Sequence, residues 1–299
     1  MNRETVWRFS LQTAAVTRWV GHCIAFVMGT SFSIKICEVE CRIGICYSRD
    51  SFFAAKREEK NAMEPEVEAR ENYMRNLKRW LQETEDSPLE EMSDFFANRL
   101  DGYEEHMSVW EKSYRIFAET LPSGCRKILD LGCGTGLELD RIWQKNPHLE
   151  VTGIDLCRNM LDKLLEKHSD KHITTVCQDY FRYDFGQDKW DAVISFESLH
   201  HFLPERKKIL YRRVCDGLKK GGLFMTGDYI ACCDEEEALL QEVYRKKREQ
   251  SVIPDHCFVH FDIPLTLEHE TGLLEDAGFV IEKIWDEPGE ATIITARKG

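Results

Sequence analysis

Apolar residues along this 299-residue chain follow two different periods, and the change falls near Pro122. Before that proline they recur at steps of three and four residues, which is the spacing of one face of a helix. After it, short apolar runs of strand length alternate with helical stretches. The pattern therefore predicts helices first and an alternating β–α domain after them.

Two helical stripes are predicted before Pro122. A helix start is expected at Ser87-Pro88-Leu89-Glu90, which offers an N-cap, a proline at the first helical position and a capping-box glutamate. The second stripe is expected to break near Asp101-Gly102, so we expect Tyr103 to turn toward a ligand. The first stripe is formed by Val67, Met74, Leu77 and Leu81, and the second by Phe96, Leu100, Tyr103, Met107, Trp110, Tyr114 and Phe117.

The segment after Pro122 has the pattern of repeated β–α units. Such alternation predicts a mostly parallel sheet covered by helices on both faces, with ligands bound beyond the carboxyl ends of the strands. The predicted strands are residues 128–133, 150–156, 173–178, 190–196 and 222–225, and the predicted helices are residues 137–144, 158–167, 205–218 and 234–249.

The turn after the first predicted strand carries three glycines in the sequence KILDLGCGTG, residues 127–136. After the last glycine, a phosphate-binding P-loop would continue with lysine and then serine or threonine, and a dinucleotide-binding fingerprint would have glycine or alanine as the next residue. This chain has Leu137 and Glu138 there, so neither motif is present. Acids end the first two strands at Asp130 and Asp155. The expected ligand therefore has a ribose diol for Asp155 and an ammonium group near Asp130. We expect Asp155 to be poorly paired when the site is empty.

Several motifs in order resemble the class I S-adenosylmethionine-dependent methyltransferases over about residues 93–298. The resemblance implies an α/β, Rossmann-like sheet of seven mostly parallel strands in the order 3-2-1-4-5-7-6, with the last strand antiparallel and an N-terminal helical lid. The motifs are the glycine turn, GIDL at 153–156, CQDY at 177–180, WDAVISFESLHHF at 190–202, LKKGGLF at 218–224, LLEDAGFVIEKIW at 273–285 and ATIITARK at 291–298.

The resemblance also implies S-adenosyl-L-methionine as the cofactor, and it gives each matching residue a part of that molecule to contact. The contacts implied are Asp130, Gly132, Gly134 and Gly136 around the methionine part, Asp155 on the ribose hydroxyls, Leu156, Asp179 and Tyr180 around the adenine, Phe196 under the cofactor and Tyr103 in the lid.

Candidate catalytic residues on the acceptor side follow the fourth predicted strand. They are Glu197, His200 and His201, and histidine suits proton removal near neutral pH. Adjacent loop histidines also fit an orienting or structural role. A second group of polar residues, His256, His260 and Asp262, lies in a predicted insertion at residues 251–265.

A small-molecule acceptor is the expected substrate. Methyltransferases of base or glutamine amino groups typically carry Asn/Asp-Pro-Pro-aromatic after strand four, where this chain reads Ser195-Phe196-Glu197-Ser198. The net charge of −13 disfavours nucleic acid as a partner. A methyltransferase acting on RNA or protein, a nucleotide-dependent oxidoreductase and a non-catalytic cofactor-binding regulator stay open as alternatives, because fold alone does not establish activity.

Charge also divides the chain near Met63. Residues 1–62 hold nine Lys and Arg against six Asp and Glu, whereas the rest is strongly acidic. The apolar stretch 19–28 is too short to span a membrane, so no stable membrane insertion is expected. The predicted organisation is a poorly ordered extension at 1–62, lid helices at 63–121 and a methyltransferase domain at 122–299.

Neither disulfides nor a metal centre are expected. The twelve cysteines are scattered through apolar segments, which suits free thiols in a reducing cytoplasm. Cys37, Cys41 and Cys46 have no clear fourth ligand, and the 256–262 group has no supporting cluster.

Overall fold

The computed structural model describes residues 67–299, so the extension expected at residues 1–62 lies outside the described residues. The described part of the chain forms two compact units. One contains residues 67–85 together with Glu287–Gly289, and the other contains Asp86–Asp286 together with Glu290–Gly299. The helices between residues 92 and 120 therefore belong to the same unit as the sheet.

In the first unit, residues 67–83 form helix α1. Met74, Leu77 and Leu81 of the predicted stripe are buried, and Tyr73 is buried beside them. Val67, at the start of the stripe, is 38% exposed. The helical period was therefore predicted correctly, although its first member is not part of the buried face.

The second unit begins with three helices, α2 (Met92–Ala97), α3 (Leu100–Met107) and α4 (Glu111–Thr120), and a 3-10 turn at Ser108–Trp110 precedes α4. The helix start predicted at Ser87 is wrong. Residues 87–90 are not helical, because the backbone there pairs with residues 258–260. The Met92 amide donates to the Phe258 carbonyl at 2.9 Å, and the His260 amide donates to the Glu90 carbonyl at 3.0 Å. Tertiary pairing thus overrides the local capping signal.

The break predicted at Asp101-Gly102 is also misplaced, since both residues lie inside α3. The chain turns instead at Asn98 and Arg99, between α2 and α3. The Arg99 guanidinium pairs with Glu90 at 2.7 Å and lies 3.7 Å from the Phe95 ring centroid. These contacts hold the corner three residues before the glycine.

The sheet has the order β3-β2-β1-β4-β5-β7-β6, as the resemblance implied. Neighbouring strands pair in parallel from β3 through to β5, whereas β7 pairs antiparallel with both β5 and β6. The strands are β1 (Lys127–Leu131), β2 (Glu150–Asp155), β3 (Ile173–Cys177), β4 (Trp190–Phe196), β5 (Leu218–Asp228), β6 (Phe279–Trp285) and β7 (Thr292–Lys298).

Helices alternate with these strands, as the apolar pattern predicted. They are α5 (Leu137–Lys145), α6 (Arg158–Lys167), α7 (Pro204–Gly217), α8 (Asp234–Gln250) and α9 (Leu267–Asp276). One buried ion pair joins two of them: Lys207 Nζ of α7 lies 2.7 Å from Glu270 Oε2 of α9, and both side chains are almost fully buried. The central strands β1 and β4 are buried along nearly their whole length, which places the core on both faces of the sheet.

Candidate functional site

A cleft of about 590 Å³ opens at the carboxyl ends of β1, β2 and β4. This is the edge where parallel sheets bind ligands, because the strand order reverses between β1 and β4. The lid helices α2 and α3 cover one side. The lining residues are Met92, Ser93, Phe96, Tyr103, Gly132, Gly134, Asp155, Leu156, Cys157, Met160, Tyr180, Phe196, Glu197, Ser198, His201 and Phe202.

The turn after β1 requires glycine for two reasons: its backbone adopts positive φ, and a side chain would collide with neighbouring residues. Gly132, Gly134 and Gly136 all have positive φ, at 74°, 47° and 71°. A Cβ on Gly132 would lie 2.2 Å from Ser198 Oγ, so a larger residue would collide with the end of β4. Gly136 does not line the cleft: it precedes α5, and a Cβ there would lie 2.4 Å from Leu164 Cδ1. Two of the three glycines thus border the cleft, and the third allows α5 to pack on α6.

Asp155, at the end of β2, lines the cleft and is well paired. Its Oδ1 accepts a hydrogen bond from the Cys157 amide at 2.7 Å, and its Oδ2 accepts one from the Gly134 amide at 2.9 Å. The expectation of a poorly paired carboxylate is therefore wrong, because the glycine turn brings an N–H group to it. Each carboxylate oxygen has two acceptor sites, so both still have capacity for ligand hydroxyls.

Several buried side-chain oxygens at the glycine turn have no hydrogen-bond partner among the described residues at the positions they occupy. They are both carboxylate oxygens of Asp130, Oγ1 of Thr135 and Oε1 of Glu138. Burial and the nearby carboxyl of Glu138 raise the pKa of Asp130 well above its ordinary value. Burial raises the pKa of Glu138 to about 7. The two acids can share one proton, and a cationic ligand would replace it.

The lid contributes aromatic rings to the cleft. Tyr103 Oη lies 3.6 Å from the position that a Cβ on Gly134 would occupy, so the tyrosine covers the glycine turn. Phe96 meets Tyr103 edge to face, with ring centroids 6.0 Å apart. Burial raises the pKa of Tyr103, and nearby acids, with Glu138 foremost, raise it further. Tyr103 therefore lines the cleft, and it does so from inside a helix and not beside a helix break.

The end of β4 is strained at Glu197, which has a φ of 47° although it is not glycine. The Glu197 amide donates to the Gly227 carbonyl at 2.7 Å, which anchors this conformation to β5. Next to it, Ser198 Oγ and Tyr180 Oη lie 3.2 Å apart. Phe196 packs against Tyr114 at a centroid distance of 4.6 Å, and its ring also lines the cleft.

The two adjacent histidines occupy different positions. His201 lines the cleft, whereas His200 lies behind it with Nδ1 2.5 Å from Asp228 Oδ1. Burial alone would lower the pKa of His200, but the carboxylates of Asp228 and Asp262 raise it well above its ordinary value. Burial and the neighbouring His200 lower the pKa of His201. The two rings lie side by side, with their centroids 4.0 Å apart.

The predicted insertion contributes two of its three polar candidates to this cluster. Asp262 Oδ1 lies 3.3 Å from His201 Nδ1. His260 stacks on Phe95 with centroids 3.5 Å apart and lies 4.8 Å from the His201 ring. Burial, and then the proximity of His201, lower the pKa of His260 well below its ordinary value. His256 is exposed and belongs to neither candidate metal-ligand group of the described residues.

Asp179 does not line the cleft. Its Oδ1 accepts a hydrogen bond from the Phe181 amide at 2.7 Å, which stabilises the turn after β3. Its Oδ2 lies 3.7 Å from Arg182 Nε, so a local partner is present on that side as well.

Comparisons with known proteins match part of the chain to a methyltransferase domain. Residues 128–222 match the model of the methyltransferase domain family. Among curated proteins, the carboxy-S-adenosyl-L-methionine synthase of Nautilia profundicola is 22% identical over 51% of this chain and 69% of its own length. The 3-hydroxy-5-methyl-1-naphthoate 3-O-methyltransferase of Streptomyces sahachiroi is 25% identical over 52% of this chain and 49% of its own length.

A solved structure extends the match beyond the family model. Human N-acetylserotonin methyltransferase, in complex with S-adenosylmethionine, superposes with a TM-score of 0.51 at 21% identity, over 68% of this chain and 56% of that one. The likeness establishes a shared fold. Residues 128–222 therefore match a methyltransferase domain, and the described residues have the strand order that the resemblance to class I S-adenosylmethionine-dependent methyltransferases implied.

The cleft of this methyltransferase fits its cofactor, S-adenosylmethionine. That molecule carries a sulfonium and an ammonium group, and among the described lining residues none is lysine or arginine. Asp130 and Glu138 do not line the cleft, but their unpartnered carboxylate oxygens could accept hydrogen bonds from an ammonium group. The bare backbone at Gly132 and Gly134 lets a ligand approach closely.

Sequence reasoning missed several residues of the methyltransferase site. Glu138 is the most consequential, and its signal was available, since a glutamate directly follows the glycine turn in a helix with an apolar face. Ser198 belongs to the motif at residues 190–202 but was not predicted as a site residue. Cys157 and Met160 line the cleft from the start of α6, and no local pattern distinguishes them from core residues.

Proposed function

We propose that this methyltransferase transfers the methyl group of S-adenosylmethionine to a small organic acceptor that is neutral or positively charged, releasing S-adenosylhomocysteine. The observation that carries the proposal is the chemistry of the cleft wall. Met92, Phe96 and Phe202 provide apolar surface, whereas Asp155 and Glu197 provide the only formal charges among the described lining residues, and both are negative.

The charge of the cleft also bears on the relatives named carboxy-S-adenosyl-L-methionine synthase. A carboxylated donor, or an acidic acceptor, would need a cation to offset its charge during burial. The charged residues among the described lining residues are both acids, which cannot offset a negative charge. In the protein without a bound cation, the acidic wall therefore favours an ordinary methyl donor over a carboxylated one.

Methyl transfer requires the chain to bind and orient the cofactor and the acceptor and to exclude water, because a sulfonium already makes its methyl group electrophilic. We assign Asp155 to the ribose hydroxyls, Asp130 to the ammonium group and Tyr103 to closing the lid. Glu197 and His201 lie on the acceptor side of the cleft, where they hydrogen-bond the acceptor. His200 does not line the cleft, so we assign it to holding the neighbouring groups in place.

The decisive experiment supplies methyl-labelled S-adenosylmethionine and a metabolite extract fractionated by charge. We expect label in the neutral or cationic fraction, with an equal amount of S-adenosylhomocysteine. Label in the anionic fraction, in RNA or in protein would contradict the proposed acceptor. Tight cofactor binding without S-adenosylhomocysteine release in any fraction would instead favour a non-catalytic regulator.

A reducing compartment is proposed as the place of action. The cysteines of residues 67–299 are free thiols, several of them buried. Within the same residues, the helices all fall short of the length and apolar character that crossing a membrane requires. Alkylation of intact cells with and without prior reduction would test the thiol state.

A further inference from the structure

Three segments meet behind the acceptor end of the cleft. His200 and His201 form the 3-10 turn after β4, Asp228 ends β5, and Asp262 belongs to the insertion. The Ile263 amide donates to the His200 carbonyl at 2.8 Å, which fixes the insertion against the histidine turn. The positions of these side chains are therefore set by backbone contacts and not only by their own interactions.

The separations between the side chains suit ligands of one ion. Asp262 Oδ1 lies 3.5 Å from His200 Nε2 and 3.3 Å from His201 Nδ1. Both separations are longer than a good N–H···O hydrogen bond. They are close to the roughly 3.4 Å between neighbouring ligands of a tetrahedral ion with bonds of about 2.1 Å. The ligand atoms of the three residues lie within 4.8 Å of one another.

We propose that His200, His201 and Asp262 bind a divalent metal ion of the zinc class. Two imidazoles and one carboxylate form a ligand set that suits zinc, iron(II) and cobalt. The ion site does not depend on the proposed acceptor, since ion binding is measured without turnover. Sequence alone did not predict it, because Asp262 is 61 residues from His201 and pairs with it only through the fold.

Asp228 strengthens the proposal as the outer partner of the site. Metal-binding histidines usually donate their second ring N–H to a carboxylate, which fixes the tautomer and the ring orientation. Asp228 Oδ1 lies 2.5 Å from His200 Nδ1, and both side chains are buried. This contact leaves Nε2 of the same ring directed toward Asp262. The arrangement is a carboxylate–histidine–ion geometry.

The charge and position of the cluster indicate what the ion would do. Glu197, Asp228 and Asp262 bring three carboxylates together, and Glu197 and His201 line the cleft. A divalent ion would offset this negative charge. Because three protein ligands leave a fourth position open, the ion would coordinate the acceptor's oxygen or nitrogen and favour its deprotonated form.

The test uses the full-length protein, stripped with a chelator and titrated with Co²⁺. Nitrogen and oxygen ligands give visible d–d bands, whereas thiolates add an intense near-ultraviolet band, so the twelve cysteines are distinguished from the proposed site. We expect one Co²⁺ per chain without the thiolate band, displaced by Zn²⁺. A wild-type protein that shows no visible band, or only the thiolate band, would overturn the proposal.

Variants locate the ion. His201→Ala and Asp262→Asn should abolish the band, and Asp228→Asn should weaken affinity for Co²⁺ by about 10- to 100-fold. His256→Ala is the matched control, because this exposed histidine lies in the same insertion, and it should bind Co²⁺ like the wild type. Thermal melting and cofactor binding verify folding. Persistence of the band in both His201→Ala and Asp262→Asn would refute the assignment, whatever happens to Asp228→Asn.

Discussion

Replacing Asp155 with alanine separates its two roles. The carboxylate accepts hydrogen bonds from the amides of Cys157 and Gly134, at 2.7 and 2.9 Å. Truncation leaves these two donors without their acceptor, which typically costs about 1–3 kcal/mol for a buried group. Both amides border a cleft that water can enter, so we expect a total loss of about 1–3 kcal/mol. For a chain of this size, that loss lowers the melting temperature by several degrees.

The effect on cofactor binding should be larger than the effect on stability. Two ribose hydroxyls donate charge-assisted hydrogen bonds to the carboxylate, and loss of such a bond costs about 1.5–3 kcal/mol. At about 1.4 kcal/mol per tenfold, the loss of one such bond weakens binding by roughly ten- to a few-hundred-fold, and we expect Asp155→Ala to weaken S-adenosylmethionine binding by at least this factor. Free methionine, which has no ribose, should bind the variant and the wild type equally.

Calorimetric titration of both ligands, well below the melting temperature, measures this difference. 5′-Methylthioadenosine provides a second control, since it keeps the ribose and adenine and should lose affinity in parallel with S-adenosylmethionine. Equal losses for methionine and S-adenosylmethionine would mean that Asp155 acts only through the shape of the glycine turn. No loss for either ligand would place the ribose elsewhere.

Three further predictions concern Glu138, Tyr103 and Lys207. Because the pKa of Glu138 is raised from 4.5 to about 7, the folded state binds more protons than the unfolded state between these values, so the free energy of unfolding should fall as pH rises through this window. Glu138→Gln should flatten this pH dependence in denaturant titrations. It should also abolish proton release on cofactor binding, measured by calorimetry in buffers of different ionisation enthalpy. If the slope of the unfolding free energy against pH is unchanged, the shared proton is excluded. Tyr103→Ala should weaken cofactor binding with little loss of stability, and the reverse outcome in paired calorimetry and melting would make Tyr103 a core residue. Lys207→Met leaves Glu270 buried without its cation and should lower the free energy of unfolding in urea by about 3–5 kcal/mol. Lys208→Met, which breaks an exposed pair, should lower it by less than about 1 kcal/mol. Similar losses for both variants would argue against a stabilising buried pair.

The sheet was predictable because its signals are local and repeated. Short apolar runs, helical stripes and a glycine turn each follow from nearby residues, and β4 and α6 agree with their predicted bounds. The family resemblance then supplied the strand order. The lid was harder to predict, since Ser87-Pro88-Leu89-Glu90 has every local feature of a helix start. Backbone pairing of Met92 with Phe258 prevents that start, and no local pattern reports a partner so distant in sequence.

The functional site likewise has residues that the sequence predicts and contacts that it does not. Gly132, Gly134 and Asp155 were predictable because one motif fixes the geometry of the turn. The amide partners of Asp155 were not, since they depend on how β1 and β2 align. Asp262 reaches the histidine turn only through the folded insertion. Its contact with His201 therefore required the structure.

Diffraction from crystals grown with S-adenosylhomocysteine tests the central claim most directly. We predict the ribose hydroxyls within hydrogen-bonding distance of Asp155, the ammonium group at Asp130 and Glu138, and the sulfur directed toward Glu197 and His201. A product molecule bound away from the glycine turn, or one whose ribose makes no contact with Asp155, would contradict the account.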